Sequence, residues 1–348
     1  MKTKIALLLA IIMTAMIILP ACGNKPAAGE TLSVNVGPDP DTIDPALNSA
    51  VDGATMIIHA FEGLMTLNKE GVPVPGQASS YDVSADGKVY TFHLRDGLKW
   101  SDGKDLKASD FVYAWNRAID PETAADYEYL FDIIDGYDEG KLNVQAPDDK
   151  TFVVTLKSPV PYFLELTAFP TFFPVRQDIV EKHGDSWAVD VKTYIGNGPY
   201  KVTEWVPGSH ITMTKNKNYW NYEKLGMENI KFVLMEEDTA RLNAFQKKEV
   251  LFIDDMPNAE IDAWRDKPEF HLEGQLGTYY VSFNTKKAPL DNKLVREALT
   301  LAIDREFIVK EVSKKGEVPA GAFVSLGLSD ADPNKEFREV GGDYFDPY

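Results

Sequence analysis

The chain has 348 residues, 36 of them Lys or Arg against 54 Asp or Glu, for a formal charge of -18 at neutral pH. So acidic a surface repels phosphate backbones, which need clustered Lys and Arg, and nucleic acid is excluded as an expected partner. With 44% hydrophobic and 11% aromatic residues, the chain has the material for large cores and at least two domains, unlike a disordered acidic tail.

Lys2 and Lys4 precede an almost unbroken apolar run, Ile5 to Leu19, which closes on Leu19-Pro20-Ala21-Cys22. A run of that length falls short of the roughly 20 residues that cross a hydrocarbon core, so residues 1–22 are expected to be a secretory signal ending in a lipobox. Cys22 is the only cysteine in the chain and is the expected lipid anchor; ordinary cleavage leaving a free thiol is the alternative. Diacylglycerol plus an N-acyl group would supply the two chains that stable anchoring requires. Residues 23–30 read as a polar tether, and the expected location is the extracytoplasmic face of the membrane or the periplasm.

From Thr31 to Val36 apolar and polar residues alternate as in a half-buried strand, and a Pro/Asp-rich loop follows, Gly37 to Pro45. A helix is predicted over Thr55 to Leu64. Three Asp-Gly pairs, at 86–87, 96–97 and 102–103, mark turns, and between the first two Tyr90, Phe92 and Leu94 form one face of a strand. Ser109 is the predicted N-cap of a helix carrying Phe111, Val112, Trp115 and Ala118 at helical spacing and stopped by Pro121. Strands are predicted at Phe152–Leu156, Tyr200–Glu204, Ile211–Lys215 and Ile230–Leu234, and helices at Tyr162–Ala168, Thr239–Lys247, Lys293–Ile303 and Arg305–Lys314. The order is α/β throughout. After Lys314 the apolar period fades into Gly, Pro and Asp, and the chain is expected to stop within a domain.

An enzyme should show a nucleophile with a base, a metal cluster or a phosphate cradle. His59, His93, His183, His210 and His271 are scattered without ligand spacing. The segment Gly327-Leu328-Ser329-Asp330-Ala331 comes within one residue of a nucleophile elbow but has no strand before it. Asp330 opens a calcium-loop-like run that carries Lys335 where the turn glycine belongs and Gly341 at the closing position. A binding protein without cofactor or metal is therefore expected, not an enzyme.

The stretch Leu94 to Ile119, LRDGLKWSDGKDLKASDFVYAWNRAI, resembles the signature of family 5 extracellular solute-binding proteins, the group of bacterial oligopeptide and dipeptide binders. The likeness continues through FVVTLKSPVPYF at 152–163, GNGPYKVTEW at 196–205, Asn218-Tyr219-Trp220, and the segment 278–309. The Tyr-Tyr pair followed by Asn-Thr-Lys-Lys-Ala-Pro looks most like the oligopeptide binders. The resemblance implies a two-lobed periplasmic-binding-protein-like fold of type II with three domains. Residues 31–65 and 190–285 would form domain I, 66–189 an inserted domain II, and 288–348 the start of a domain III, with most of the second lobe missing.

By the same resemblance the chain would capture short peptides in a cleft that closes about Lys286–Pro289, act as a monomer, and deliver its cargo to an ABC permease in the membrane. Most of the signature would be architectural, with Trp100-Ser101-Asp102-Gly103 a turn under an aromatic plug and the Trp115 helix in the core. The backbone of Ala50–Ala54, hence Val51, Asp52 and Gly53, would pair with an extended peptide. A strand at 278–284 would turn Tyr280, Ser282 and Asn284 to the cleft and Tyr279, Val281 and Phe283 away; a sheet face covered by domain II is the other reading. Tyr127 resembles a family tyrosine near the peptide. Gly277 stands where some oligopeptide binders have a disulfide cysteine, so that bridge is absent. Another solute, such as a dipeptide, nickel chelate, haem or sugar, is the alternative within the fold, with His59 the candidate nickel ligand. A surface holdase or adhesin, and an extracellular peptidase, stand outside it.

Overall fold

A computed structural model describes residues 29–332 and 334–345. The expected signal, Cys22 and most of the tether lie outside the described residues. The described residues form two compact units, one of those up to Glu236 with Lys247–Ile253, the other of Glu237–Gln246 with those from Asp254 onward.

The strands in chain order are β1 Thr31–Asn35, β2 Met65–Leu67, β3 Pro73–Pro75, β4 Ala78–Val83, β5 Val89–Leu94, β6 Val144–Asp148, β7 Thr151–Thr155, β8 Tyr200–Val206, β9 His210–Lys215, β10 Asn229–Val233 and β11 Phe252–Ile253. All belong to the first unit. They make a five-stranded sheet ordered β11-β1-β10-β9-β8, a hairpin β2-β3, and a four-stranded sheet β4-β5-β7-β6. In the five-stranded sheet β1 runs parallel to both neighbours, while β10, β9 and β8 meander antiparallel. The four-stranded sheet is antiparallel throughout and comes from residues that lie, in sequence, between β1 and β8.

The predicted alternation in β5 is realised: Phe92 and Leu94 are buried, and Phe92 pairs with the buried Phe152 of β7. Gly87, Gly97 and Gly103 all take positive φ, as the Asp-Gly turns require. Across this sheet lies the helix Ala108–Ala118, whose Phe111, Ala114, Trp115 and Ala118 are buried at i, i+3, i+4 and i+7. The Trp115 ring meets Phe152 edge-on at 4.8 Å and Phe172 at 5.1 Å, and its Nε1 donates to the Phe172 carbonyl at 2.7 Å. That bond satisfies the indole nitrogen in a site with no access to water. Trp100 is likewise fully buried, so both signature tryptophans are core.

Three local expectations need correction. The helix begins one residue before Ser109, because the Asp110 carboxylate accepts from the Lys107 N–H at 2.9 Å and caps it from the third helical position. The helix expected at 55–64 runs instead from Val51 to Ala60 and ends where Phe61 turns extended. Its end is fixed by Gly196 and Gly198, whose backbones press on Ala60: a Cβ at 196 would sit 1.9 Å from the Ala60 carbonyl oxygen, and the Gly198 N–H donates to that oxygen at 2.8 Å. The third correction concerns 278–284, which forms no strand. A strand is held by its ladder, and this segment pairs with no strand among the described residues, its Asn284 carbonyl accepting only a turn bond from the Lys287 N–H at 3.1 Å, so its alternation is not expressed and Tyr279 is fully exposed.

The second unit is helical, with Asp238–Gln246, Ile261–Trp264, Lys293–Leu301, Arg305–Phe307 running into the π-helical Ile308–Ser313, and Phe337–Gly341. Residues 254–285, expected with the first domain, group here, and the expected hinge at 286–289 lies inside this unit.

Candidate functional site

The loop leading to the Val51–Ala60 helix is pinned from below by Asp44, which is 2% exposed. Arg117 forks onto its two oxygens at 3.0 and 2.7 Å, the Trp187 Nε1 donates at 2.9 Å, and the Ala46 N–H at 2.9 Å. Tyr194 adds a bond from its hydroxyl to the Ile43 carbonyl at 2.8 Å. A buried charge so completely paired holds one geometry, because breaking any part strands the rest.

Held in this way, Asn48 is buried and donates to the Ala50 carbonyl at 2.9 Å, while its Oδ1 packs on Gly53. A Cβ at Gly53 would stand 2.1 Å from that oxygen and 2.7 Å from the Thr42 carbonyl oxygen, so Gly53 permits close packing. Val51, Asp52 and Gly53 are the residues whose backbone is expected to pair with an extended peptide. They form the first helical turn, with the Ala54 N–H bonded to the Ala50 carbonyl at 3.0 Å and the Gly53 N–H to its neighbour Asp52 at 2.7 Å. Their backbone thus offers no strand edge. The extended residue is Ala50, just before the helix, at φ -110° and ψ 150°.

This corner does reach Asp126, the residue before Tyr127. The Ser49 hydroxyl donates to the Asp126 carboxylate at 2.7 Å, and the adjacent Tyr127 ring stands edge-to-face with Phe169 at 5.3 Å and 6.2 Å from Tyr129. This bond links the segments of two of the three expected contact regions; Val51 is 78% exposed, Asp52 and Tyr127 are half-buried and Gly53 is buried. Nothing in the sequence marked Ser49 or Asp126, since their bond spans 77 positions.

Tyr280, Ser282 and Asn284 belong to the second unit and are exposed. The Tyr280 ring packs against Phe323 at 5.0 Å, and the Asn284 Oδ1 accepts from the Lys286 N–H at 3.1 Å as the start of a turn. The separation of this segment into a cleft face and a buried face is not observed: Tyr279 and Val281 are exposed as well. A cavity of about 420 Å³ in the same unit, lined by Arg265, Glu306, Lys310, Lys314 and Glu317 among others, contains none of the expected contacts.

His59, the candidate nickel ligand, packs on the five-stranded sheet, 5.4 Å from the Phe232 ring, and its Nδ1 bonds to the Thr55 carbonyl at 2.7 Å. Burial pushes its pKa down. No group of three or more His, Cys, Asp or Glu residues suited to a metal occurs among the described residues.

One cluster was not foreseen. Glu62, 6% exposed, accepts from the Tyr219 hydroxyl at 2.6 Å, the Trp220 Nε1 at 2.7 Å and the Gln77 Nε2 at 2.7 Å. Asn197 closes on its backbone from both sides, at 2.9 and 3.1 Å, and Arg95 stacks on Trp220 at 3.6 Å. Burial raises the Glu62 pKa, opposed by the three donors and by Arg95. Asn197 of the segment GNGPY, with Tyr219 and Trp220 of Asn-Tyr-Trp, is thereby explained as architecture around one carboxylate.

The first unit thus combines α/β layers, a pinned loop, an exposed Asp126 beside half-buried rings, and core positions filled by Trp100 and Trp115. Residues 72–347 match the bacterial extracellular solute-binding proteins, family 5, and the chain belongs to that family. It is 37% identical over 329 residues to the oligopeptide-binding protein OppA of Bacillus subtilis, covering 90% of this chain and 60% of the relative. It is 36% identical over 331 residues to the dipeptide-binding protein DppE of the same organism, covering 93% and 60%. Among solved structures, Haemophilus influenzae OppA in complex with the peptide RPPGFSPFR matches with a TM-score of 0.79 at 32% identity, covering 85% of this chain and 60% of that one. The chain thus spans about 60% of the length of these relatives.

Proposed function

We propose that the protein captures oligopeptides outside the membrane and passes them to the permease of an ABC importer, acting as a monomer and without chemical turnover. The observation that carries this reading is the combination of family membership with relatives named as oligopeptide- and dipeptide-binding proteins, one of them solved with a nine-residue peptide bound. Val51, Asp52, Gly53 and Tyr127 are proposed contacts, a reading supported locally by the Ser49–Asp126 bond between their two segments. Tyr280, Ser282 and Asn284 are further proposed contacts on 278–284. Cys22 is the proposed lipid anchor, and a three-domain division the proposed organisation.

In a calorimetric titration with peptides of two to eight residues, the chain, or the chain continued through its encoding reading frame, should bind with one-to-one stoichiometry. Folded protein of both forms that binds none of them would overturn the reading.

A further inference from the structure

We infer that Asp96, in the exposed turn after β5, is a self-modification site: among the Asp-Gly and Asn-Gly pairs of the folded chain it is the one that rearranges to an isoaspartyl linkage. This chemistry needs only water and involves neither the peptide nor its proposed contacts.

In the first step the Gly97 amide nitrogen attacks Asp96 Cγ. A C–N bond closes a five-membered succinimide, and the hydroxyl of the protonated carboxyl leaves as water with the amide proton. Water then opens the ring at either carbonyl. Attack at Cγ restores the aspartyl chain; attack at the former main-chain carbonyl leaves Gly97 joined through Cγ and the α-carboxylate free. Glycine in the second place favours closure, because no Cβ crowds the nitrogen. The chain has five Asp-Gly pairs, at 52–53, 86–87, 96–97, 102–103 and 135–136, and one Asn-Gly pair, at 197–198, which loses ammonia in the same attack. Unfolded, the amide pair should react first, since an amide is attacked more readily than a charged carboxylate. In the folded chain the order depends on which nitrogen can swing onto its neighbour's side chain, and so on the hydrogen bonds that hold it.

Five of the six pairs are tied down. The Gly198 N–H donates to the Ala60 carbonyl at 2.8 Å, and Asn197 is buried with its amide donating to the Glu62 carbonyl at 2.9 Å. Gly53 is buried in the first turn of a helix. The Gly87 N–H donates to the Ser84 carbonyl and the Gly103 N–H to the Trp100 carbonyl, each at 2.9 Å. The pair 135–136 is bonded on both residues: the Asp135 N–H to the Thr155 carbonyl at 2.9 Å, the Asn143 N–H to the Asp135 carbonyl at 2.7 Å, and the Lys141 N–H to the Gly136 carbonyl at 3.0 Å. Asp96 and Gly97, by contrast, make no backbone hydrogen bond among the described residues; both are exposed, and the Asp96 side chain is 90% accessible. Nothing stands within 4 Å of where a Gly97 Cβ would be. The one restraint is Lys150, whose ammonium bonds to Oδ1 and holds the Asp96 carboxyl below the usual carboxylate range. Charge slows the attack, but an exposed ion pair restrains the side chain only weakly. The rearranged turn carries one more backbone carbon between the buried Leu94 and Leu98.

The test is to age the folded protein at physiological temperature and mildly acidic pH, beside the same protein unfolded in urea, and to measure isoaspartate at each pair by peptide mapping. Folded, Asp96 should convert about two- to tenfold faster than any of the other four Asp-Gly pairs, the range expected where those must first open a hydrogen bond. Asn197 should stay intact folded and lead in urea, where the five Asp-Gly rates should converge. Methyl transfer to isoaspartyl carboxylates in the aged folded protein should lose most of its signal in Asp96→Glu, an exposed change whose longer side chain closes no five-membered ring. Faster conversion at another pair, equal rates at all five in the folded protein, or an undiminished signal in Asp96→Glu overturns the assignment. The same lead of Asp96 in urea would show that neighbouring sequence, not the open turn, sets the rate, and would overturn it as well.

Discussion

At the scale of single residues, two buried carboxylates organise the first unit, and they respond differently to change. Asp44 is saturated by Arg117, Trp187 and the Ala46 amide, so Asp44→Ala leaves a guanidinium and an indole N–H without partners in a dry site. The expected loss is about 3–5 kcal/mol, read from urea unfolding midpoints at constant m-value. Glu62 is held by neutral donors, and burial raises its pKa above the ordinary 4.5. A raised carboxylate binds its proton more tightly folded than unfolded, so its contribution to stability is largest below the unfolded pKa and declines as pH rises through the folded one. Thermal unfolding from pH 4 upward should show that decline in the native chain. It should be absent in Glu62→Gln, which instead sets an amide N–H against the donors of Trp220 or Gln77 at every pH; an identical pH slope in both proteins would refute the assignment. Neither carboxylate was legible beforehand, because a Glu in Phe-Glu-Gly-Leu reads as surface when its partners lie 15, 157 and 158 positions away.

At the scale of elements, legibility followed the number of local signals. In the two sheets β1, β5, β7, β8, β9 and β10 were readable because period-two alternation and β-branched residues agreed, with Asp-Gly turns flanking β5, whereas β4, β6 and β11 were missed; five of the six residues of β4 are exposed on an edge, and β11 is two residues long. The Val51–Ala60 helix was misplaced for a different reason. Its start depends on the Asn48 side chain and its end on Gly196 and Gly198, tertiary contacts that periodicity does not contain. Replacing Gly53 by Ala tests this, since the added methyl would meet Asn48 Oδ1 at 2.1 Å and the Thr42 carbonyl oxygen at 2.7 Å. Both must move, at an expected cost of about 1–3 kcal/mol in chemical denaturation. Val51→Ala, two residues away with its side chain in solvent, should stay within about 0.5 kcal/mol of the parent. Equal costs at the two positions would contradict the packing described for the helix start.

At the scale of the molecule, the two units differ in how their apolar residues are used. The first unit holds nearly all of the buried core, from Val34 to Val250, while the second leaves Leu276, Tyr279, Tyr280, Leu294 and Leu301 more than half exposed. Between Phe270 and the turn at Thr285 its chain has no helix or ladder to protect the backbone. Local opening costs least where few apolar contacts and backbone bonds must be broken, so this stretch should be the first to yield to a protease. Brief chymotrypsin treatment should cut at Tyr279 or Tyr280 well before any site in the β-sheets, leaving a lasting product that contains the whole first unit. Mass spectrometry of the earliest fragments decides the point, and first cleavage within residues 89–155 would mean that the four-stranded sheet, not the 271–284 segment, is the weak region of the chain.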